Sequence, residues 1–374
     1  MIVVNFVNAK MGGSLTLLKQ FIKHVFNSEI DKDYLFFISN SVYQLFVDYE
    51  SKNLKIVGID QRNKFSRILW DKYGFKKELK LRNISVDCIL NFGNTPISYD
   101  KSVPQILYFH QAIGLSNSKF RLVVSKGIKY FFYRYLYNFF VKWNLSNIDA
   151  VIVQAEWVKE KFSAKYKYPL NNICVIQPDI SNLYEYIGKE AVYKDRYTFF
   201  YPAGGVAYKN HIAILKALKL LLDINPDLNS KFECVFTISK DEISAISSFV
   251  DQNNLGKIVT FTGQISFQEV VKHYIQSDCL IFPSLDETFG LPLKEADFFD
   301  LDILVVDLPY ARNTLKDCSN VTYIDKDNVD AWAKNIIASF TNRRIRVIGK
   351  NNTLNKSTWS QFENYYLQSI KHEE

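Results

Sequence analysis

The chain reads as an α/β protein of two doubly wound, Rossmann-like halves facing across a cleft. Three observations carry this. The chain has 374 residues, two to three times the length of one ordinary domain. Short apolar runs alternate with amphipathic stretches throughout, as parallel strands covered on both faces require. The alternation runs to Ile176, fades in an aperiodic stretch from Pro178 to Lys194, and restarts at Thr198. The expected division is therefore a first domain at 1–182, a linker at 183–196, a second domain at 197–355 and a terminal helical segment at 356–374.

In the first half, strands are expected at 1–7, 34–39, 54–58, 86–91, 105–109, 150–154 and 173–176. Helices are expected at 14–26, 63–81, 120–144 and 157–165. In the second half, strands are expected at 198–201, 232–238, 258–261, 279–282 and 303–306. Helices there are expected at 211–222, 242–250, 267–276, from 292 to 299, and at 329–340, with a terminal helix at 360–372. In such sheets ligands sit outside the carboxyl ends of the strands.

Hydrophobic residues make up 48% and charged residues 23%, which excludes a disordered chain. No run approaches the length of a membrane-spanning helix. The segment Met1–Val7 reads as a core strand and not as a signal peptide. Five cysteines stand apart at 88, 174, 234, 279 and 318, with no Cys-x-x-Cys spacing. Neither a zinc site nor a disulfide framework is signalled, and a reducing cytoplasm is the expected location. The net charge of +7 is uneven: residues 1–200 hold 28 Lys+Arg against 17 Asp+Glu, and residues 201–374 hold 18 against 22. The first half should face something anionic. The stretch 120–144 interleaves aromatics with Lys126, Lys129, Arg134 and Lys142. It reads either as a helix packed on the sheet or as a basic aromatic surface for an anionic membrane. No nucleic-acid-binding module accompanies the charge, so nucleic acid is not expected as a partner.

The most informative string is IFPSLDETFGLPLKEA, Ile281 to Ala296. A buried strand ends in a polar loop, and a helix follows with Pro292 in its first turn, where the missing N–H costs nothing. The amides of Phe289, Gly290 and Leu291 would be free there to bind phosphate, and Gly290 allows a close backbone approach. Glu287 and Glu295 flank this site. Two carboxylates beside an anion need separate tasks: one accepts from ribose hydroxyls, the other meets the uncharged part of the ligand. Helix capping and solvation would explain an isolated pair of glutamates; the complete string carries more.

That string resembles the signature of retaining glycosyltransferases of the GT-B fold, the large family 4 group (glycosyl transferases group 1). FTGQISFQEV from Phe261, YPAGGVAYKNHIAILKAL from Tyr201 and DAVIVQAEWVKEKF from Asp149 are similar to further parts of that family, and Trp359 with the final helix resembles its crossover segment. The resemblance implies that Glu295 holds the nucleotide ribose. It puts Glu287 beside the donor sugar and its diphosphate, which Lys209 would neutralise. A fixed cation aimed at developing charge suits a departing diphosphate. The resemblance also implies that Gly12 and Gly13 line the donor phosphates and that His110, at the end of a strand, contacts the donor sugar. Asn91, Gly93 and Asn94 lie at another strand's carboxyl end and are expected on the acceptor side. The family's arginine five residues before the lysine is here Gly204, so either amides of Gly204 and Gly205 assist Lys209 or another cation takes the arginine's place. At Asp297–Asp302 the run DFFDLD stands where the family has a glycine-containing turn of small residues.

The implied activity is transfer of a sugar from a nucleotide-activated donor to an acceptor hydroxyl with retention, on a lipid-linked or surface-glycan acceptor. No cofactor and no metal are expected: Asp31-Lys-Asp33 precedes a strand and reads as a solvated turn. Peripheral contact with the inner face of the membrane fits the basic first half. Two other readings are a non-catalytic scaffold that has kept the fold and a sugar-nucleotide epimerase or phosphorylase sharing it.

Overall fold

The computed structural model describes residues 1–10, 12–28, 32–60, 64–112, 114–115, 137–349 and 358–371. The chain divides into two compact units, Met1–Asp179 with Asn355–Glu374, and Ile180–Leu354.

The first unit is built on a seven-stranded parallel sheet. Its strands are β1 (Ile2–Phe6), β2 (Tyr34–Ser39), β3 (Leu54–Ile59), β4 (Cys88–Asn91), β5 (Gln105–Phe109), β6 (Ala150–Val153) and β7 (Ile173–Val175), in the order 3-2-1-4-5-6-7. Strands β1, β2, β4, β5 and β6 are buried at every residue. That is why they read as continuous apolar runs without alternation. Helix Gly12–Asn27 lays Leu17, Leu18, Phe21, Ile22 and Val25 on the sheet, a spacing that puts all five on one face. The terminal helix Thr358–Lys371 belongs to this unit, as expected: Trp359, Phe362 and Tyr366 enter the core around Phe21, Phe92 and Tyr108. Its Tyr366 hydroxyl lies 2.5 Å from that of Tyr34.

The second unit has a six-stranded parallel sheet: β8 (Tyr197–Tyr201), β9 (Phe232–Phe236), β10 (Val259–Phe261), β11 (Cys279–Phe282), β12 (Asp302–Val306) and β13 (Val321–Ile324), in the order 10-9-8-11-12-13. Helix Phe267–Gln276 begins with a capping box between Ser266 and Glu269, as its sequence implies.

Three expectations change, and a fourth lies mostly outside the described residues. The stretch 183–196 packs on the second unit: the Val192 amide donates to Ile275 O at 3.1 Å, Lys194 pairs with Glu233 at 2.9 Å, and Tyr193 accepts from the Arg346 amide at 2.8 Å. Strand β13 and helix Pro309–Thr314 were not expected. In the strand only Ile324 is buried, so no continuous apolar core run marks it, and the helix has only six residues. The helix expected at 63–81 is two α segments, Lys64–Leu69 and Phe75–Leu81, joined by a wide π turn at Trp70–Gly74. The helix expected at 120–144 lies largely outside the described residues; residues 137–143 are helical.

Candidate active site

In each sheet the strand order reverses once, between β1 and β4 in the first and between β8 and β11 in the second. Such a switch point opens a crevice at the carboxyl ends of the strands. The notable polar side chains of both units gather there.

In the second unit, β8 leads into a short 3-10 turn, Ala207–Lys209, and helix His211–Ile224 follows. Lys209 thus stands two residues before the helix, and its carbonyl accepts from the Tyr201 hydroxyl at 2.7 Å. Beyond β11, Ser284 and Glu287 face it. Lys209 Nζ donates to Glu287 Oε1 at 2.5 Å, and Ser284 Oγ donates to the same oxygen at 2.7 Å. The Tyr310 hydroxyl anchors the loop through Ser284 O at 2.6 Å, and the Leu285 amide reaches Tyr208 O at 2.8 Å. Lys209 and Glu287 keep 15% and 16% side-chain exposure, which leaves the pair reachable. Behind them His211 packs on Tyr201 with ring centroids 4.7 Å apart. Burial, helped by the Lys209 charge, pushes its imidazole down to about 3. A neutral ring there adds no charge to the site.

Gly290 caps helix Leu291–Phe298 at φ 76°, a left-handed geometry that favours glycine. A Cβ there would lie 3.0 Å from Leu293 Cδ1. Phe289 is buried, and its carbonyl accepts from Thr314 Oγ1 at 2.5 Å. Among the described residues the amides of Phe289, Gly290 and Leu291 have no hydrogen-bond partner, which leaves three donors for an anion. Glu295, one turn into the helix, is buried at 8% exposure and accepts from the Tyr274 hydroxyl at 2.7 Å. Burial pushes its carboxyl up to about 7, while the Tyr274 hydrogen bond pulls the other way.

The departures from the family pattern find local reasons. A Cβ at Gly204 would meet nothing within 4 Å, so a side chain has room there. The Gly205 amide is engaged: it donates to Glu242 Oε1 at 2.7 Å. Of the two amides expected to assist Lys209, this one already holds a carboxylate. In the DFFDLD run, Asp300 takes the left-handed conformation at φ 54°, and its carboxylate holds Arg344 at 2.9 Å, Asn320 at 2.8 Å and the Val347 amide at 2.8 Å. The aspartate replaces a glycine turn and ties down the segment that follows helix Val329–Thr341.

In the first unit, the switch point is an amide network. Asn5 Nδ2 donates to Asn91 Oδ1 at 2.9 Å, the Gly93 amide donates to the same oxygen at 2.9 Å, and Asn91 Nδ2 donates to Thr95 O at 2.8 Å. Asn91 is fully buried, so its amide is spent inside the protein, not turned toward an acceptor as expected. A Cβ on Gly93 would lie 2.8 Å from Asn91 Oδ1. Asn94 accepts from the His110 amide at 2.7 Å, and its Nδ2 lies 3.1 Å from His110 Nε2. With the Asn94 oxygen so engaged, its NH2 faces the ring, and Nε2 must accept. The His110 proton is thereby placed on Nδ1. Burial, then the nearby Arg67 charge, pushes this imidazole down to about 4. Gly12 starts its helix at φ 61°, and no atom would crowd a Cβ on Gly12 or Gly13.

Sequence reading missed Arg67, Asp71 and Tyr274. Arg67 Nη2 donates to Gly93 O and to Thr95 Oγ1, and Thr95 donates to Asp71 Oδ2 at 2.7 Å. Burial pushes the Asp71 carboxyl up to about 6 against the pull of Arg67. Both residues lie in the interrupted helix, where nothing in the sequence separates them from solvated charges. Tyr274 was visible in the sequence, but without the fold its partner was not.

Two parallel sheets with polar switch points, one carrying a cation–carboxylate pair beside a helix N-terminus, have the architecture of the GT-B fold. Residues 184–356 match the family described as glycosyl transferases group 1. It is 23% identical over 284 residues to the O-antigen chain mannosyltransferase RfbU of Salmonella typhimurium, covering 73% of this chain and 72% of that protein. Its fold is similar to that of WaaG, a glycosyltransferase involved in lipopolysaccharide biosynthesis, with a TM-score of 0.68 at 12% identity over 99% of this chain and 95% of that one. It is also similar to HepE of Anabaena in complex with UDP and glucose, with a TM-score of 0.64 at 11% identity over 98% and 99% of the two chains.

Proposed function

We propose that the protein is a retaining hexosyltransferase that moves a sugar from a nucleoside diphosphate sugar to a hydroxyl of a surface glycan carried on a lipid. The observation that carries this is the Lys209–Glu287 pair at the switch point of the second sheet, beside Glu295 and three amides that have no partner among the described residues. A diphosphate leaving group needs fixed positive charge where its own charge grows. Lys209 and the amides of Phe289, Gly290 and Leu291 supply it without reorganisation. Glu287 holds Lys209 in place before donor arrives and can turn to the donor sugar afterwards. Glu295 keeps one oxygen on Tyr274 and offers the other to ribose hydroxyls.

With retention, the leaving diphosphate stands on the face the acceptor approaches and takes the acceptor proton, so no separate base is required. His110, neutral and held by Asn94, is assigned to the donor sugar; Asn94 serves it as a positioning residue. No step calls on a metal. The likeness to an O-antigen chain mannosyltransferase and to a glycosyltransferase involved in lipopolysaccharide biosynthesis supports the acceptor class. The test is release of free nucleoside diphosphate from a panel of sugar nucleotides, with and without a lipid-linked acceptor. Release that needs the acceptor supports transfer. Release equal without acceptor, or interconversion of the sugar nucleotide, would favour the epimerase or phosphorylase reading; none with any donor would favour the scaffold.

A further inference from the structure

The interrupted helix of the first unit has a face that the active-site account leaves unused. Its π turn spaces Trp70, Phe75 and Leu79 so that all three enter the core against Val3, Phe37 and Ile89. Gly74 makes this packing feasible, since a Cβ there would lie 2.9 Å from the Trp70 ring. The opposite face presents Lys72, Lys76, Lys77 and Lys80, all exposed. Between them protrude Leu69, Tyr73 and Leu81, with 57%, 58% and 66% exposure. Lys72, Tyr73, Lys76, Lys77, Lys80 and Leu81 enclose a shallow groove of about 380 Å³. The helix at 137–143 extends the patch: Lys72 Nζ stands 5.1 Å from the centre of the Trp143 ring, and Trp143 and Phe139 are 51% and 55% exposed.

Few carboxylates oppose these lysines. Glu78 is turned to Arg82 at 3.1 Å, Asp71 is occupied by Thr95, and Asp100, held chiefly by the Ser102 amide, lies near Lys76. Among the described residues none of the four lysines has an ion-pair partner. Basic groups interleaved with protruding aliphatic and aromatic tips match a leaflet whose surface is anionic and whose boundary is apolar. A nucleic acid would engage the lysines but leave Leu69 and Leu81 in water.

We propose that this face is a docking surface for anionic lipid. The four ammonium groups would meet lipid phosphates while Tyr73, Leu81 and Trp143 reach the boundary of the acyl region. It would bring a lipid-linked acceptor to the enzyme and to that extent rests on the proposed function. Vesicle binding is read without turnover, however, so the two can fail separately.

The test is sedimentation of the whole protein with phosphatidylcholine vesicles, with and without phosphatidylglycerol, at low and high salt. Each lysine near an anionic leaflet should contribute about fivefold to partitioning. Lys72→Gln/Lys76→Gln/Lys77→Gln/Lys80→Gln should lose on the order of a hundredfold or more. Leu81→Ser with Trp143→Ser should lose less, and Lys231→Gln/Lys257→Gln in the second unit nothing. High salt should release the wild type, because these charges are screened beyond a Debye length of about 10 Å at 0.1 M. Unaltered binding by the quadruple variant, equal binding to vesicles without phosphatidylglycerol, or no binding at low salt would overturn the proposal. So would release by inorganic phosphate at constant ionic strength, which would reduce the face to a phosphate site, or tighter binding of single-stranded RNA than of vesicles.

Discussion

The two switch points differ in what their polar atoms do. In the second unit the donors and charges stand at the surface of the crevice: Lys209 and Glu287 keep part of their exposure, and three amides are unpartnered among the described residues. In the first unit Asn5, Asn91 and Asn94 are buried and bonded to one another, to the turn after β4 or to His110. The same strand order thus serves two purposes. One crevice holds charge ready for a charged ligand; the other uses neutral amides to fix the shape of a turn and the tautomer of one histidine. Topology locates a site, and the satisfaction of its polar atoms tells a binding surface from a scaffold.

This difference can be tested from its largest consequence downward. Lys209→Ala should lower turnover by about 10²–10³, the scale of one transition-state electrostatic contact. Turnover like that of the wild type would remove the lysine from the chemistry and erase the charged half of the comparison. Asn91→Ala should act through stability, because it strands the Asn5 amide and the Gly93 N–H in the core. A loss of about 2–3 kcal/mol in denaturant unfolding is expected, with nucleoside diphosphate binding unchanged. A stable variant with weakened donor binding would make Asn91 a ligand contact after all.

Glu295→Gln should weaken donor binding by about 1–2 kcal/mol, since a charged acceptor is replaced by a neutral one. It is a better probe than alanine, which would leave the buried Tyr274 hydroxyl without a partner. The Glu295 carboxyl is raised from an ordinary value near 4.5 to about 7. The folded state therefore binds more protons than the unfolded chain between those values, and this group's share of stability is present below 4.5 and declines as pH rises toward 7. Donor binding should move oppositely, strengthening as pH rises through about 7 and the carboxylate forms. In Glu295→Gln that dependence should flatten, and calorimetric titration across this range reads both. Gly204→Arg, placed where a side chain has room, should restore several-fold of the activity lost in Lys209→Ala; no gain would argue against a cation at that position.

Much of this was legible in the sequence because buried parallel strands are continuous apolar runs. All twelve expected strands are present, and the terminal helix joins the first unit through Trp359, Phe362 and Tyr366. What stayed hidden was of two kinds. Val321–Ile324 is not a continuous buried run, since only Ile324 is buried, and Pro309–Thr314 is under two helical turns. Pairings such as Tyr274 with Glu295, Arg67 with Gly93 and Asn94 with His110 join residues 16 to 26 positions apart, and no local pattern marks them. The string from Ile281 to Ala296 announced a site, but it could not say that Glu295 would be buried against a phenol or that Glu242 would hold the Gly205 amide.

The central claim is that the charged switch point of the second unit holds a nucleoside diphosphate. The most direct measurement is calorimetric titration of UDP and GDP into the wild type, Lys209→Ala and Asn91→Ala under identical salt. The account expects one of the nucleotides to bind the wild type and Asn91→Ala alike, and Lys209→Ala at least about tenfold more weakly, the loss of a charge-assisted contact. Equal affinity in wild type and Lys209→Ala, or loss of binding only in Asn91→Ala, would contradict it.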